Sequence, residues 1–525
     1  MPDTRPSPVP PGDFDERFDV VVAGFGFAGA AAAIEAADSG ASVLLLEKMP
    51  DPGGISICSG GGVRIVTDIE RGRRYLRQTV GPDIPDDVLD AVCEGMADLE
   101  PYFRRLAEAN GATIAIRDRG GNYPFEGHDA LGILEVSDIP GFDAGREYPH
   151  VRGRALGPNV FRLVHDNVRA RGIEVRLETA AERLITGPDG ALRGLSVRTG
   201  AGAPRRIAAR RAVVLATGGF EANGEMQRKH WQIRPVLTAA TRGNTGDGIR
   251  MAQALGADVW HMWHFHGTYG FRHPDPDYPF GLRVKRLPDW NPTVTEPTVA
   301  MSWIILDGGG RRFMNEYHPY LQDTGHRPLD QFDPATQRFP KIPAFLVTDE
   351  AGRQLYPLGQ AVLNDRAVEP YQWSADNLKE VENGILKRAD SVEDLARLLG
   401  ADPTVLSASL DEWNATVASG GPDVLGRPTP SMRPVATPPF YVGEIWPLVN
   451  NTQGGPVHDA AQRVLNTYRE PIPRLFEAGE LGSIWGFLYL GAGNLGECFA
   501  TGRIAGRNAA ALPAWDAVED ADAAA

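Results

Sequence analysis

Three glycines and a glutamate near the start of the chain have the types and spacing of a nucleotide-binding site. Gly24, Gly26 and Gly29 follow an apolar run at residues 20–23, and Glu47 closes a second apolar run at residues 43–46. In such a pattern the glycines allow a tight turn, backbone approach to a pyrophosphate, and close packing of helix on strand. A carboxylate at the position of Glu47 can accept hydrogen bonds from the hydroxyls of an adenosine ribose. The pattern predicts the binding of a dinucleotide.

The elements around these residues are the ones that must position them. Residues 20–23 and 43–46 predict two strands, and residues 30–37 predict an Ala-rich helix between them. The helix begins at the glycine turn, so its free N–H groups and partial positive charge face the phosphates. A purely structural glycine turn is the alternative, which the flanking strands and the distal acid disfavour.

A second glycine-rich loop indicates which dinucleotide is bound. Residues 53–62 have the sequence GGISICSGGG, shortly after Glu47 and Lys48. FAD needs such a loop because its pyrophosphate and isoalloxazine ring thread deep into a protein, against bare backbone that only glycine provides. A flexible surface loop is the alternative, and Ile55 and Ile57, interleaved with serines, argue against it.

This loop resembles that of the flavoproteins of the fumarate reductase and succinate dehydrogenase family. The resemblance spans nearly the whole chain, through motifs at residues 216–219, 245–248, 454–458, 473–480 and 502–506. It implies non-covalent FAD, because the loop has no histidine where succinate dehydrogenases attach the cofactor. It also implies that Glu480 contacts the ribityl chain and that a helix starting near Asn494 points its N-terminus at the flavin pyrimidine. The predicted cofactor-binding residues are Gly24, Gly26, Phe27, Ala28, Gly29, Glu47, Lys48, Gly53, Gly54, Ile55, Ser56, Ser59, Gly60, Gly61, Gly62, Ala216, Thr217, Gly218, Gly219, Asn244, Asp247, Glu480, Asn494 and Leu495.

One substitution separates this chain from the fumarate reductases. In that family an arginine lies four residues after the glutamate of Arg-Phe-x-Asn-Glu and delivers a proton to the substrate, whereas this chain has Tyr320 there. The pattern Asn-Glu-x-x-Pro-Tyr, together with Tyr-x-x-x-Gly at Tyr489 and Gly493, resembles the 3-ketosteroid Δ1-dehydrogenases. This resemblance implies that a C=C bond is introduced beside a ring ketone, in a steroid or a smaller cyclohexanone-like substrate.

The resemblance also implies a role for each of these residues. The Tyr489 hydroxyl and the backbone N–H of Gly493 hydrogen-bond the ketone oxygen and stabilise the developing enolate. Tyr320 takes the α-proton, and the β-hydrogen leaves as hydride to flavin N5. A phenol with an ordinary pKa near ~10 is a poor base at neutral pH, so a neighbour must share the proton. Tyr123 is the predicted neighbour, with Tyr148 and Tyr317 as competitors.

Two other functions compete with this prediction. An enoate reductase of the fumarate or urocanate reductase kind would need carboxylate-binding side chains, for which Arg312, His318 and His458 are available. A flavin-binding subunit or sensor without turnover is the second alternative, which the two tyrosine motifs disfavour.

The fold class that follows is α/β. We expect a Rossmann-like FAD-binding domain of the two-dinucleotide-binding-domain flavoprotein type, formed by residues 18–275 and 438–513, with an inserted α+β catalytic cap at residues 276–437. Residues 1–17 and 514–525 are rich in Pro, Asp or Ala and predict disordered tails.

Composition restricts the partners. The net charge of −15 disfavours nucleic acid and anionic membranes, and no apolar run is long enough to span a membrane. The three cysteines have no metal-binding spacing, and His264 and His266 lack a third ligand, so no metal is expected. A cluster of arginines that includes Arg64 predicts a solvated or interdomain face. A cytoplasmic protein is expected, with a small apolar ketone as substrate and an electron acceptor that the sequence does not specify.

Overall fold

Apolar, β-branched runs of the sequence form the strands of two large sheets. The structure is a computed structural model that describes residues 14–153, 156–288, 299–301, 303–317 and 324–517. Within these ranges the strands are β1 Glu16–Ala23, β2 Val43–Leu46, β3 Val63–Val66, β4 Thr113–Arg117, β5 Leu131–Asp138, β6 Glu174–Arg176, β7 Thr179–Thr186, β8 Leu192–Thr199, β9 Arg205–Leu215, β10 Leu237–Thr238, β11 Val259–Trp260, β12 Phe265–Phe271, β13 Leu282–Val284, β14 Trp303–Leu306, β15 Ala344–Asp349, β16 Gly359–Gln360, β17 Lys387–Ala389, β18 Phe440–Thr452, β19 Gly455–Pro456, β20 Arg463–Leu465 and β21 Pro471–Glu477.

The helices lie between these strands and at the end of the chain. In the described ranges they are α1 Phe27–Asp38, α2 Ile69–Val80, α3 Asp86–Ala97, α4 Leu99–Ala107, α5 Ala144–Glu147, α6 Gly157–Ala170, α7 Gly224–His230, α8 Asp247–Ala254, α9 Glu350–Arg353, α10 Leu378–Glu382, α11 Val392–Leu399, α12 Pro403–Ser419 and α13 Gly493–Ala511. None of the described helices has the length and apolar character needed to cross a bilayer.

The first sheet confirms the predicted Rossmann-like architecture. Its order is β20-β21-β9-β1-β2-β6, with β7 and β8 added beside β9. Strands β21, β9, β1, β2 and β6 are mutually parallel. Residues 20–22 and 44–46 are almost fully buried, because helices cover the faces of a parallel sheet. The carboxyl ends of these strands meet at one edge, where ligands bind in such sheets.

Small residues bring the first and last helices into close contact. A Cβ atom on Gly502 would lie 2.5 Å from the carbonyl oxygen of Ala28, and one on Gly506 would lie 2.2 Å from that of Ala32. Helix α13 therefore packs tightly along α1, and its N-terminus is held close to the glycine turn that begins α1.

The second sheet forms the cap. Its order is β14-β15-β18-β12-β13-β16, and β10 and β17 also pair with β18. Strands β12 and β18 were expected in the cofactor domain, but they supply the centre of the cap sheet. In β12, Tyr269 and Phe271 lie two residues apart on one face of the strand, and both are buried in the cap core. The cap sheet therefore reaches beyond the predicted limits of 276 and 437.

The described residues of both predicted tails, 14–17 and 514–517, pack against the first sheet. Strand β1 begins at Glu16, where it pairs with β9. At the other end, Trp515 is buried and its indole N–H donates to the carbonyl of Ala209 at 3.0 Å. Phe14 and Trp515 pack together, with ring centroids 6.2 Å apart. The aromatic side chains hold these ends against the sheet despite their polar, Ala-rich surroundings.

Candidate cofactor and substrate site

A first cavity opens at the carboxyl ends of β1, β2 and β9. It is lined by the turn after β1, by Glu47 and Lys48 after β2, and by residues 216–218 after β9. The Glu47 carboxylate accepts hydrogen bonds from the backbone N–H of Phe25 (3.0 Å) and of Met49 (2.8 Å). Burial raises the pKa of Glu47, which these two hydrogen bonds oppose. The carboxylate is thus fixed in place at the end of the cavity where a ribose is expected.

The glycine turn leaves room that a side chain would fill. Gly24 has φ +108°, and a Cβ there would lie 2.2 Å from the carbonyl oxygen of Ala216. A Cβ on Gly29 would lie 1.8 Å from the carbonyl oxygen of Gly24. Only glycine satisfies both the backbone conformation and the close approach. This part of the cavity is therefore a backbone-lined cradle suited to a pyrophosphate at the start of α1.

Lys48 joins the cradle to the start of α8. Its ammonium group donates to the hydroxyl of Thr245 (2.6 Å) and to the carboxylate of Asp247 (2.5 Å). Burial opposes ionisation of Asp247, but the nearby Lys48 leaves the net pKa of that carboxyl lowered. Lys48 and Asp247, which were predicted separately, form one ion pair on the cavity wall.

Two buried carboxyl groups lie behind the cradle. Glu480 accepts from the backbone N–H of Thr452 at 3.0 Å, and the amide of Asn244 donates to Glu221 at 2.7 Å. Burial raises the pKa of Glu221 to about 8. Burial, and then the proximity of Glu221, raise the pKa of Glu480 well above its usual value. Both carboxyl groups therefore favour the protonated form more than an exposed glutamate does.

A second, larger cavity continues from the first. Its volume is ≈ 660 Å3, and it shares Ile55, Ser56, Glu480 and Cys498 with the first cavity. Helix α13 begins here, with Asn494 and Leu495 on the wall. The first N–H groups of a helix have no acceptor within the helix, so they face outward with a partial positive charge. One continuous passage therefore runs from Glu47 to the start of α13, a shape that fits extended FAD.

Most of the predicted cofactor-binding residues line one of the two cavities. They are Gly24, Gly26, Phe27, Ala28, Glu47, Lys48, Gly54, Ile55, Ser56, Ser59, Gly60, Gly62, Ala216, Thr217, Gly218, Asn244, Asp247, Glu480, Asn494 and Leu495. Four glycines do not line either cavity: Gly29, Gly53, Gly61 and Gly219. Their backbones are pressed against neighbouring atoms instead, as where a Cβ on Gly61 would lie 2.2 Å from the backbone of Leu156.

Tyr489 lines the second cavity beside a histidine. Its ring stacks on that of His266, with centroids 4.0 Å apart. His266 Nδ1 is 2.8 Å from Oδ1 of Asn451, whose amide donates to Oδ1 of Asn494 at 2.9 Å. Since Asn451 uses its oxygen as the acceptor, His266 donates from Nδ1. The phenol is therefore held by a chain of contacts that begins at the start of α13.

Of the other predicted catalytic residues, Tyr123 and Gly493 are described by the structure, and neither lines the second cavity. Tyr123 is buried outside the cavity lining, and its hydroxyl donates to the backbone carbonyl of Tyr489 at 2.9 Å. The N–H of Gly493, expected to face the ketone, donates to the carbonyl of Leu490 at 2.6 Å, because the chain turns sharply as α13 begins. Its expected role is not met in this geometry. Tyr320 lies outside the described residues.

Several polar residues of the second cavity were missed from the sequence. Arg64, expected on a solvated or interdomain face, is 4% exposed and donates to the carbonyls of Gly491 (2.7 Å) and Arg119 (2.8 Å). Asn122 accepts from the N–H of Gly491 at 3.1 Å. Nothing local marks these residues, although Asn122 directly precedes the predicted Tyr123. Other missed lining residues are Glu135, Arg283, Arg286, Gln360, Asn450 and Asn451.

Of the side chains available to an enoate reductase, the two that the structure describes lie outside the lining of the second cavity. Arg312 is paired with Glu316 and Asp423 inside the cap. His458 lies 3.1 Å from the carbonyl oxygen of Gly482 and does not line the second cavity, and His318 lies outside the described residues. Among the residues that the structure describes, no three His, Cys, Asp or Glu side chains are arranged to hold a metal ion.

Comparison with known proteins supports FAD binding. A family model described as an FAD binding domain matches residues 19–495. The 3-oxosteroid 1-dehydrogenase of Mycolicibacterium smegmatis is 27% identical, over 95% of this chain and 98% of the relative. A cytochrome-type fumarate reductase of Shewanella frigidimarina is 26% identical, over 94% of this chain and 77% of the relative.

A solved structure has the same fold over the same length. The 3-ketosteroid Δ1-dehydrogenase of Sterolibacterium denitrificans, in complex with 1,4-androstadiene-3,17-dione, matches with a TM-score of 0.76 and 25% identity. The match covers 94% of this chain and all of that one. The chain therefore belongs to the FAD binding domain family, and it is an FAD-dependent oxidoreductase that acts on CH–CH bonds.

Proposed function

We propose that this enzyme desaturates a cyclic ketone, a 3-ketosteroid or a smaller cyclohexanone-like ring, at the carbons α and β to the carbonyl. The observation that carries the proposal is Tyr489, which lines the large cavity beside the start of α13. The similar 3-oxosteroid 1-dehydrogenase and its solved counterpart support the choice of a ring ketone.

The residues around Tyr489 are suited to polarising a ketone. A phenol hydroxyl that hydrogen-bonds the carbonyl oxygen lowers the cost of forming an enolate at the α-carbon. The ring stack with His266 and the hydrogen bond from Tyr123 to the Tyr489 backbone limit the motion of that phenol. The positive end of α13, next to Asn494, favours the developing negative charge.

Removal of the α-proton is assigned to Tyr320. This assignment comes from its place four residues after Glu316, since Tyr320 itself lies outside the described residues. Glu316 is fully buried and paired with Arg312, which anchors the segment leading to Tyr320. Tyr123 remains the proposed partner that shares the proton.

The cofactor is held by the residues of the first cavity. The glycine turn, Glu47 and the ion pair of Lys48 with Asp247 would bind the ribose and pyrophosphate, and Glu480 would face the ribityl chain. When bound, FAD supplies the acceptor for the β-hydrogen, which leaves the substrate as hydride. Attachment without a covalent bond is part of this proposal.

The test is anaerobic mixing of the purified flavoprotein with a 3-ketosteroid or a cyclohexanone, followed by flavin absorbance in the visible range. Bleaching with formation of the enone is expected. Tyr489→Phe should then lose at least about a hundredfold in rate, as enzymes do when one oxyanion donor is removed, and Tyr320→Phe should abolish the reaction. No bleaching by any ketone, with reoxidation of the chemically reduced enzyme by fumarate-like acids, would replace the proposal with an enoate reductase.

A further inference from the structure

A buried glutamate lies in the first turn of α13, outside the lining of both cavities. Glu497 is 1% exposed, and both of its carboxylate oxygens accept hydrogen bonds. Oε1 accepts from the backbone N–H of Ile484 (2.7 Å), and Oε2 accepts from the amide of Asn494 (2.9 Å) and the hydroxyl of Ser483 (2.8 Å). Burial raises the pKa of Glu497 to about 7, and these hydrogen bonds oppose the rise. The ionised carboxylate is a group that only accepts, at one end of a buried polar chain.

This polar chain connects Glu497 to the ring that faces Tyr489. Asn494 donates its amide to Glu497, and its own oxygen Oδ1 accepts from the amide of Asn451 at 2.9 Å. The oxygen Oδ1 of Asn451 lies 2.8 Å from Nδ1 of His266. The His266 ring stacks on that of Tyr489, with centroids 4.0 Å apart. Glu497 therefore reaches the cavity through three intervening side chains.

The carboxylate sets the direction of each hydrogen bond along this chain. A primary amide has donors on one side and an acceptor on the other, whereas an ionised carboxylate has acceptors alone. Because Glu497 only accepts, Asn494 must turn its NH2 group toward it, and Asn451 must turn its NH2 group toward the Asn494 oxygen. The Asn451 oxygen is then left for His266, which must donate from Nδ1. Gln453 supports this direction, since its amide also donates to the Asn494 oxygen, at 3.1 Å.

We propose that Glu497 is a positioning residue that fixes the tautomer and the plane of the His266 ring, and through that ring the direction of the Tyr489 phenol. This inference rests on the proposed function, because it takes the Tyr489 hydroxyl to polarise the ketone. A functional side chain keeps its geometry when the group packed against it is itself held by hydrogen bonds. Here the stacked imidazole is that group, and the carboxylate of Glu497 determines how it is held.

The test is the position of the His266 proton, read from nitrogen NMR spectra of the FAD-loaded protein labelled at histidine. Spectra are recorded at about pH 9, where a carboxyl with a pKa of about 7 is ionised. The His266 signals are those missing from His266→Gln. We expect the wild-type ring to carry its proton on Nδ1, and a proton on Nε2 in the wild-type protein would by itself overturn the inference.

Glu497→Gln should reverse the chain. The oxygen of the new amide is needed by the Ile484 N–H, so its NH2 group faces Asn494 and donates where the carboxylate accepted. The amides of Asn494 and Asn451 then turn over, and the His266 proton moves to Nε2. If that proton stays on Nδ1 in Glu497→Gln, the inference is wrong.

A second substitution should restore the original direction. Asn494→Asp, added to Glu497→Gln, places an acceptor-only carboxylate one step nearer to His266. Asn451 must then turn its NH2 group toward residue 494 again, and the His266 proton should return to Nδ1. A merely structural defect of Glu497→Gln would not be reversed in this way. Because Asn494 lines the second cavity, this double variant is judged by the tautomer and not by its rate.

An equally buried carboxylate in the cap provides the matched control. Glu380 is 0% exposed, lines neither cavity, and accepts from the hydroxyl of Tyr371 (2.7 Å) and the backbone N–H of Ser374 (3.1 Å). Glu380→Gln makes the same chemical change away from the chain that leads to His266. It should leave the His266 proton on Nδ1, and a shift of that proton in this control would overturn the assignment to Glu497.

The rate of anaerobic flavin reduction by a ring ketone tests the link to Tyr489. Glu497→Gln should slow it by about two- to tenfold, the range for one hydrogen bond, with little change in the dissociation constant of the ketone. An unchanged rate beside a moved His266 proton would overturn the positioning of Tyr489. Absence of reduction in the wild-type enzyme would count against the proposed function alone, because the tautomer is measured without substrate and still decides whether Glu497 controls His266.

Discussion

The cofactor cradle and the cap are held together by different means. In the cradle, the contact is between backbone atoms: a Cβ on Gly24 would lie 2.2 Å from the carbonyl oxygen of Ala216. In the cap, buried charges meet: Arg312 donates to Glu316 (2.7 Å) and to Asp423 (2.7 Å), which lies 111 residues away. A site that needs bare backbone leaves a local glycine pattern, whereas a buried ion pair leaves none.

The charge network of the cap also orders the segment that leads toward Tyr320. Arg427, fully buried, donates to the carbonyls of Trp303 (2.7 Å) and Met301 (2.9 Å) and lies 3.5 Å from Glu316. The Arg-Phe-x-Asn-Glu motif is therefore an internal clamp, in which Arg312 pairs with the fully buried carboxylate of Glu316 four residues later.

The largest effect is expected from a methyl group placed in the cradle. Gly24→Ala puts a Cβ 2.2 Å from the carbonyl oxygen of Ala216, at a φ of +108°. We expect the protein to be purified without its yellow colour, because the turn cannot keep its shape beside the pyrophosphate. The ratio of flavin to protein absorbance measures this.

The control for that change is a glycine with open surroundings. Gly308 lies in a cap turn, and a Cβ there would meet no atom within 4 Å. Gly308→Ala should keep a full complement of FAD. A Gly24→Ala protein with the same ratio of flavin to protein absorbance as Gly308→Ala would contradict the requirement for bare backbone in the cradle.

The next largest effect is expected from a substitution in the cap, which should lower the free energy of unfolding and leave FAD binding unchanged. Glu316→Gln keeps the shape of a side chain that is 0% exposed but leaves Arg312 and Arg427 without part of their counter-charge. Breaking one partner of a buried pair costs about 3–5 kcal/mol. Urea unfolding measures the loss, and the folded variant should still bind FAD.

An exposed ion pair provides the matched control for Glu316. Asp390 pairs with Arg388, and both side chains are more than half exposed. Asp390→Asn should change the free energy of unfolding by less than about 1 kcal/mol. A similar small effect of Glu316→Gln would mean that the clamp contributes little to the cap.

The contrast between cradle and cap explains how much could be predicted. Gly24, Glu47 and Ser56, which line the first cavity, could be predicted because a turn of bare backbone leaves a local spacing. The parallel sheet followed from the apolar runs beside them. Arg64 was misplaced because its partners, the carbonyls of Gly491 and Arg119, are far away in sequence. The reach of the cap sheet was misjudged because β12 contributes one face to the cap core and the other to the cavity.

The site itself was predicted at the level of single motifs rather than contacts. Tyr489 was predicted from a Tyr-x-x-x-Gly pattern, but its stack on His266 depends on two strands and a helix meeting in space. Gly493 was assigned an N–H donor role that its own turn removes, since that N–H donates to Leu490. Spacing predicts which residues are near a ligand better than it predicts where their hydrogen bonds go.

A smaller effect is expected where a residue supports Tyr489 from behind. Tyr123→Phe removes the hydroxyl that donates to the Tyr489 carbonyl and leaves that carbonyl without this donor. A single hydrogen bond of this kind contributes about 0.5–1.5 kcal/mol. If Tyr123 only positions Tyr489, ketone desaturation should slow by roughly two- to tenfold with an unchanged pH profile. If it shares a proton with Tyr320, the pH profile of kcat should shift as well.

The pH dependence of stability is expected to have opposite signs in the two regions. Behind the cradle, burial raises the pKa of Glu221 to about 8, from an ordinary 4.5. The folded protein therefore holds this proton more tightly than the unfolded chain, and the associated stability is lost as pH rises from about 4.5 to 8. In the cap, hydrogen bonds from Arg353 lower the pKa of Glu350 to about 2, so its contribution is lost as pH falls from about 4.5 to 2. Glu221→Gln should flatten the loss of stability on the alkaline side alone, and Glu350→Gln should flatten it on the acidic side alone. Urea unfolding of the FAD-loaded protein at pH 3.5, 6 and 8 measures how the free energy of unfolding depends on pH on each side of neutrality. If both variants changed that dependence on the same side, the proposed difference between the buried carboxyl groups behind the cradle and the ion pairs of the cap would be wrong.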